Sequence, residues 1–76
     1  MMEQVKKVYV IHDNVYATKK EALAYEDGKD NIKPYYIIID RELGYVLKSK
    51  RSVSSDGIMF YDTKEEAEKE LEDMQV

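Results

Sequence analysis

A pattern that occurs twice in this chain places the strongest limit on its fold. In the later copy, a short apolar run from Ile58 to Tyr61 precedes Thr63, and Glu66 follows three residues after the threonine. A threonine and a glutamate at this spacing form a capping box, which satisfies free backbone groups at the start of a helix. The residues from Lys64 to Met74 are nearly all good helix formers. This segment therefore predicts a strand that leads directly into a helix.

The earlier copy runs from Val15 to Ala22 and aligns with Phe60 to Ala67, with Tyr, Thr, Lys, Glu and Ala in register. Thr18 and Glu21 form its capping box, which predicts a first helix from Lys19 to Asp27. One interpretation is a duplicated ββα unit. The other is that any strand that feeds a helix in a small domain uses the same local signals.

Two other stretches are typical of strands that are apolar on both faces. Val8 to Ile11 and Tyr35 to Ile39 contain only apolar residues, as in strands that are central or covered on both sides. Glu42-Leu43-Gly44 predicts a hairpin loop, because glycine adopts the positive φ angle that such loops need. Tyr45 to Leu47 then begins the partner strand, and Asp56-Gly57 closes a second hairpin. The predicted order is β-β-α-β-β-β-α.

This order predicts a single α+β domain over residues 1–76, with an antiparallel sheet of four or five strands and two helices on one face. The two helices can cover only that face, yet alternate residues of Tyr35 to Ile39 must point to the other. An exposed apolar sheet face usually marks an interface, so the sequence predicts a homodimer or a partner-binding surface there. The alternative is that the chain termini or a curled sheet cover this face.

Composition excludes several classes of protein. A chain of 76 residues forms one domain, and with no cysteine it has neither disulfides nor a cysteine-based zinc site. It contains no long apolar run and no secretory segment. We therefore expect a cytoplasmic protein that does not enter a membrane.

The negative charge is concentrated in one helix. The formal net charge is −4, yet Asp62 to Asp73 holds seven acidic residues against two lysines. Several of these acids lie in the last turns of the predicted helix, where the helix dipole disfavours them. The charge therefore indicates a basic partner protein, and it disfavours direct nucleic-acid binding because phosphates would be repelled. The predicted partner-binding residues are acids of this helix and two sheet tyrosines: Glu65, Glu68, Glu72, Tyr36 and Tyr45.

A basic stretch suggests a different function. Lys48, Lys50 and Arg51 lie among serines, and together they could hold a small anion while nearby tyrosines stack on a base. These residues define the alternative prediction, a homo-oligomeric protein that sequesters a small anionic ligand such as a nucleotide signal. Basic residues also protect an edge strand against aggregation, and that explanation stays open.

Candidate catalytic and metal-binding residues are sparse. His12 is the only histidine and stands beside Asp13 in a predicted turn. A His-Asp pair can act as a general base, but adjacent strand residues point apart, so we interpret His12 as a solvent-exposed turn residue. The acids that could meet at one end of the sheet match no calcium or zinc motif: Asp13, Asp40, Glu42, Asp56 and Asp62. The sequence therefore predicts a protein that is not an enzyme and has no metal or cofactor.

The segment Phe60-Tyr61-Asp62-Thr63-Lys64-Glu65-Glu66-Ala67 resembles the ending of many small uncharacterised proteins of bacteriophages and low-GC Gram-positive bacteria. The resemblance is confined to this closing unit and carries over no site residue. It implies a phage accessory protein, including the anti-defence class, whose members are often short, acidic and non-enzymatic. The leading prediction is a small acidic interaction protein that binds and inhibits or regulates a host protein, such as a defence or nucleic-acid-handling factor.

Overall fold

The computed structural model describes residues 3–28, 31–49 and 52–74. Strands and helices form an antiparallel sheet with helices packed on it, which confirms the α+β class. In chain order the elements are β1 (Gln4–Ile11), β2 (Asn14–Tyr16), α1 (Lys19–Tyr25), β3 (Lys33–Ile39), α2 (Arg41–Lys48), β4 (Val53–Ser54) and α3 (Lys64–Met74). No helix in these three ranges is long and apolar enough to cross a membrane.

The sheet has four strands in the order β3-β1-β2-β4, and all neighbouring strands are antiparallel. β1 is central: it pairs with β3 along nearly its whole length and with β2 through a tight hairpin. On the outer edge of β3, Tyr36 exchanges two backbone hydrogen bonds of 2.9 Å with Tyr61. This pairing returns the segment before α3 to the sheet.

The first face of the sheet carries the larger core, formed by four side chains that are at most 4% exposed: Val8, Val15, Ile37 and Ile39. Leu47 of α2 packs on them and is 1% exposed. Fully burying one leucine side chain stabilises a fold by about 1.5–3 kcal/mol. Phe60 packs on the same cluster, with its ring centroid 5.2 Å from that of Tyr35. α2 and the segment around Phe60 therefore cover this face.

The second face carries Ile11 and Tyr16, and Ala22 of α1 is buried against them. α3 packs across β1 and β3 and buries Ala67 completely. Since α2 and the segment around Phe60 already cover the first face, and α3 contacts the same two strands, we assign α3 to the second face, which also carries α1. α1 and α3 thus share one face, as the sequence predicts.

The predicted hairpin loop at Glu42-Leu43-Gly44 is wrong, because helix α2 occupies this stretch. The carboxylate of Asp40 accepts a hydrogen bond of 2.8 Å from the backbone N–H of Leu43, which caps the helix. Leu43 and Leu47 then lie one turn apart and both pack on the first face. Burial of these two leucines outweighs the local strand signal of the residues between them. The observed order is β-β-α-β-α-β-α.

The predicted final strand from Ile58 to Tyr61 is reduced to the single bridge at Tyr61. Before it, β4 pairs with β2 at the opposite edge of the sheet, and the N–H of Ser55 donates to the carbonyl of Asp13 at 2.9 Å. The chain must therefore cross the first face between Ser55 and Tyr61, and Ile58 and Phe60 pack on the core as it does so. A crossing segment cannot pair as a hairpin strand, which explains the difference.

The open apolar sheet face is also a wrong prediction. The first face is covered by α2 and by the crossing segment, both of which belong to the chain itself. The stretch from Tyr45 to Leu47, which the sequence predicts as a strand, folds as part of α2 and supplies the missing cover. The sheet therefore gives no basis for a homodimer formed through an exposed face.

Both capping boxes are present. The hydroxyl of Thr18 accepts the backbone N–H of Glu21 at 3.1 Å, and that of Thr63 accepts the N–H of Glu66 at 3.2 Å. In each box the glutamate carboxylate accepts from the threonine hydroxyl, rather than reaching the backbone. Both capping boxes therefore form where the sequence predicts them, and only the hydrogen-bond partner of the glutamate carboxylate differs from the prediction.

The repeated pattern extends to the pairing of the strands. Tyr16 pairs with Tyr9 on β1, and the matching Tyr61 pairs with Tyr36 on β3. Each half thus consists of a long strand, a short return segment and a threonine-capped helix on the second face. α2 and β4 are inserted into the later half, between β3 and its return segment.

Candidate functional site

The predicted acidic residues lie on the outer side of α3. Glu65, Glu68 and Glu72 are exposed, whereas Ala67 is buried and Leu71 is half-buried. At 3.6 residues per turn the three glutamates fall within about 60° of one another around the helix. Within the described residues, the only side-chain ion pair shorter than 4.0 Å joins His12 to Glu26. These carboxylates therefore face solvent, and the described part of the chain gives them no counter-charge at that distance.

The two predicted tyrosines lie on different sides of the sheet. Tyr36 is half-buried on β3, on the face that carries α3. Tyr45 is 73% exposed, but it belongs to α2 and not to a strand. Because α2 covers the first face and α3 the second, the predicted partner-binding set does not form one continuous surface.

Two exposed methionines lie at α3: Met59 precedes the helix and Met74 is its last residue. Met59 is 70% exposed and Met74 is 52% exposed. Both line a shallow depression of about 250 Å³, together with Ile58 and Tyr61. Methionine is flexible and polarizable, and exposed methionines are common where a surface adapts to a partner.

A larger groove lies at the end of the sheet where β1 begins and β3 ends. Its volume is about 660 Å³, within the usual range of 300–1,000 Å³ for small-ligand sites. Its charged lining comes from four parts of the chain: Lys6, Glu21, Asp40, Arg41 and Lys48. Lys48 is the one residue of the predicted ligand-binding set that the structure describes. The other two, Lys50 and Arg51, lie outside the described residues.

A polar cluster at the opposite end of β1 centres on Glu26. One oxygen of its carboxylate, Oε2, accepts hydrogen bonds from Tyr16 Oη at 2.7 Å and from Asn14 Nδ2 at 2.8 Å. The other, Oε1, lies 3.1 Å from Nδ1 of His12, and a carboxylate acceptor places the proton on that nitrogen. The Glu26 side chain is 13% exposed and that of His12 is 50% exposed. His12 therefore pairs with Glu26 and not with Asp13, although half of its side chain faces solvent as predicted.

The cluster shifts two pKa values away from neutrality. The hydrogen bond from Tyr16, followed by the one from Asn14, holds the pKa of the Glu26 carboxyl below its usual value. Burial, reinforced by Glu26, raises the pKa of Tyr16 to about 12. A general base or acid works best with a pKa near the operating pH, and both groups move in the opposite direction. The cluster is therefore suited to joining the β1–β2 hairpin to the end of α1, rather than to proton transfer.

The backbone of the hairpin turn holds His12 beside Glu26. His12 has φ 49° and Asp13 has φ 65°, and two positive φ angles are the requirement of a type I′ turn. Glycine and asparagine are the commonest residues there, and Asp and His are also enriched in this left-handed region. On its far side His12 meets Gly28, where a Cβ would lie 3.7 Å from Nε2 of the ring. Gly28 has φ +97°, and a Cβ there would also lie only 3.1 Å from Nδ2 of Asn31, so both the backbone and the space favour glycine.

The acids that were considered as metal ligands do not assemble. Asp40 caps α2, while Asp13 lies in the β1–β2 turn and Asp56 follows β4. Over residues 3–28, 31–49 and 52–74, no group of three or more His, Asp or Glu side chains is arranged to hold a metal ion.

Sequence reasoning missed both the Glu26 cluster and the cationic lining of the groove. Glu26 is separated from its three partners by 10 to 14 residues, so these contacts form only when the end of α1 packs beside the β1–β2 hairpin. Lys6, Arg41 and Lys48 come from β1 and from the two ends of α2, so they meet only after the sheet and α2 have formed. Asp40 was the available signal, because aspartate is a preferred N-cap residue directly before a helix.

Comparisons of this chain with protein-family models, with curated proteins and with solved structures found no match.

Proposed function

We propose that this chain is a small non-enzymatic interaction protein that binds and inhibits or regulates a host protein through the outer side of α3. The observation that carries the proposal is the exposed stripe of Glu65, Glu68 and Glu72, which no cation among the described residues approaches within 4.0 Å. A partner with a basic surface is the natural complement, because complementary charge increases both the association rate and specificity.

The surroundings of α3 support an interface with an apolar centre. Met59 and Met74 line a depression at the end of this helix, and protein interfaces commonly have an apolar core with a polar rim. Tyr36 lies on the same side of the sheet as α3 and is included in the proposed surface. Tyr45 lies on α2, so a partner would contact it only by reaching around the sheet edge.

The resemblance of the closing unit to small phage proteins supports a phage origin and a host partner of the defence or nucleic-acid-handling class. An inhibitor of this kind needs no catalytic residues, because occupying a basic functional surface is sufficient. With the sheet faces covered, α3 and the neighbouring Met59 still present exposed acidic and apolar side chains to a partner.

The proposal is tested by capture of partners from a lysate of a low-GC Gram-positive host, followed by titration of the captured protein. Glu65→Gln, Glu68→Gln and Glu72→Gln are combined in one variant. Three exposed charge pairs at about 0.5–1 kcal/mol each correspond to about 10- to 100-fold weaker binding. Binding should also weaken as salt is raised, since these pairs are open to screening.

A matched control removes three other exposed acids, through Asp27→Asn, Glu42→Gln and Asp56→Asn. It lowers the negative charge equally but leaves α3 intact, so it should bind like the unaltered protein. Equal binding by the α3 variant and the unaltered protein would exclude α3 from the interface. Equal loss in both variants would show that only the net charge matters.

A further inference from the structure

The groove at the open end of the sheet has a charge arrangement that the fold itself does not use. Lys6 projects from β1, while Arg41 and Lys48 stand at the two ends of α2. Arg41 and Lys48 are exposed and Lys6 is half-buried. None of the three forms an ion pair shorter than 4.0 Å with a described carboxylate. Three cations thus line one groove without a direct counter-ion in the described part of the chain.

The two carboxylates in the same lining are already engaged. Asp40 accepts the N–H of Leu43 at 2.8 Å and so caps α2. Glu21 accepts from the hydroxyl of Thr18 at 3.1 Å in the first capping box. Within the described residues, the second oxygen of each carboxylate accepts no side-chain hydrogen bond, so it could accept one from a ligand hydroxyl or amine. The groove therefore combines a positive excess with two acceptors, rather than presenting charge of one sign.

The uncharged lining is partly apolar. The half-buried Ala17 and Gly44 add small surfaces, and Ile39 and Leu47 of the core on the first face lie nearly buried beneath them. Gly44 lies inside α2, and a Cβ there would stand 3.5 Å from Cδ1 of Ile39. A flat apolar body could therefore lie against these surfaces without meeting a long side chain at that position.

We propose that this groove binds a small phosphorylated organic molecule of the nucleoside-phosphate type. The phosphate is held by Lys6, Arg41 and Lys48, since charge-assisted hydrogen bonds from lysine and arginine are the usual recognition of this group. The base lies against Ala17 and Gly44, above the nearly buried Ile39 and Leu47. The ribose hydroxyls and the amino group of the base donate to the second carboxylate oxygens of Asp40 and Glu21. This site goes beyond the proposed function of α3, from which it is independent.

Four probes separate the parts of this ligand: AMP, ATP, adenosine and pyrophosphate. Binding is measured by titration calorimetry and by the shift of the thermal unfolding midpoint. AMP or ATP should bind and raise the midpoint, while adenosine and pyrophosphate, each lacking one half of the ligand, should bind at least about tenfold more weakly, a loss of about 1.4 kcal/mol. If neither AMP nor ATP binds, and the corresponding guanine, cytosine and uracil nucleotides do not bind either, the proposal is overturned.

The residues are tested with the combined variant Lys6→Gln, Arg41→Gln and Lys48→Gln. It should weaken nucleotide binding by about 10- to 100-fold, because the phosphate loses its charged donors. The matched control is Lys33→Gln, Lys64→Gln and Lys69→Gln, which removes three exposed lysines that do not line the groove. Circular dichroism checks that both variants are folded.

The outcomes distinguish the site from general charge attraction. Loss of binding in the groove variant alone supports the proposal. Equal weakening in both variants would show that nucleotides follow the net charge, and unchanged binding in both would place the ligand elsewhere. Pyrophosphate that binds as tightly as ATP would show that the apolar lining takes no part, which also overturns the assignment.

Discussion

The two ends of β1 handle charge in opposite ways. At the hairpin end, the carboxylate of Glu26 meets donors from His12, Asn14 and Tyr16, all within 3.1 Å. At the other end, three cations line a groove of about 660 Å³. Among the residues that the structure describes, no carboxylate lies within 4.0 Å of any of them. At the hairpin end the charged group is hydrogen-bonded by side chains of the chain itself. At the groove end the charged side chains lie above apolar residues, and the apolar contacts stabilise the fold there.

This difference separates polar groups that stabilise the fold from those available to other molecules. A partly buried charge must be hydrogen-bonded, or its desolvation destabilises the protein. Glu26 satisfies that rule within the chain. An exposed lysine or arginine keeps its hydration and contributes little to folding, so its position near others of the same sign needs another explanation. A bound anion at the groove supplies one.

The largest expected effect tests the apolar basis of the groove end. Leu47→Ala should lower the free energy of unfolding by about 2–5 kcal/mol, because it leaves a cavity between α2 and the first face. Denaturation in urea measures this change. Tyr45→Ala on the same helix is the control, since Tyr45 is 73% exposed and its loss should change stability by less than about 0.5 kcal/mol. Equal effects would mean that α2 does not cover the sheet as described.

The dependence of stability on pH comes next and belongs to the hairpin end. The pKa of Glu26 is lowered in the folded protein, so its contribution is present above the pKa of the unfolded chain and lost as pH falls through the folded value. The pKa of Tyr16 is raised from 10.0 to about 12, so its contribution is full below pH 10 and lost as pH rises through about 12.

Urea midpoints measured across the acid range test the Glu26 part of this prediction. Glu26→Gln should be less stable at neutral pH and should lose less stability than the unaltered protein as pH falls. The difference between the two proteins isolates Glu26 from the other acids. If the two proteins lost stability equally as pH falls, the role given to this carboxylate would be contradicted.

A smaller effect is expected for Tyr16→Phe, which removes one donor to Glu26 and leaves the ring in place. The lost hydrogen bond of 2.7 Å should lower the free energy of unfolding by about 1–2 kcal/mol. Tyr25→Phe is the matched control, because Tyr25 stacks on Tyr16 at 6.2 Å but is 64% exposed. Similar losses of stability in the two variants would show that the hydrogen bond from Tyr16 to Glu26 does not stabilise the hairpin end.

The smallest expected change in stability concerns the three cations of the groove. The combined change of Lys6, Arg41 and Lys48 to glutamine should alter stability by no more than about 0.5 kcal/mol per residue, because these cations have no described ion pairs. Chemical denaturation without added ligand measures it. A loss well beyond that would show that the cations stabilise the fold, and the two ends of β1 would no longer differ in kind.

Local signals were the part of this fold that the sequence could predict. Thr18 and Thr63 lie three residues before their glutamates, and a contact over three residues does not depend on the rest of the molecule. The strands β1 and β3 were likewise predictable, because each apolar run lies within one segment. α2 was missed because Gly44 and the apolar run after it favour a hairpin locally, and only the burial of Leu43 and Leu47 makes the helix preferable.

The site could be predicted only where it coincides with one segment. The acids of α3 are adjacent in sequence, so their exposure on one side of a helix follows from the period of the helix. The donors to Glu26 and the cations of the groove come from separate elements. Their contacts depend on the position of α2 and on the turn at His12, neither of which propensity alone determines.

The insertion of α2 and β4 into the later half has a consequence for how such a protein can diversify. The two matching halves supply the central strands and both helices of the second face, while the inserted stretch supplies Arg41, Lys48 and the exposed ring of Tyr45. As long as an apolar anchor equivalent to Leu47 is kept, this stretch can exchange its polar residues without altering the scaffold beneath. Related chains with new specificities should therefore differ mainly between residues 40 and 57, where recognition can change at the least risk to folding.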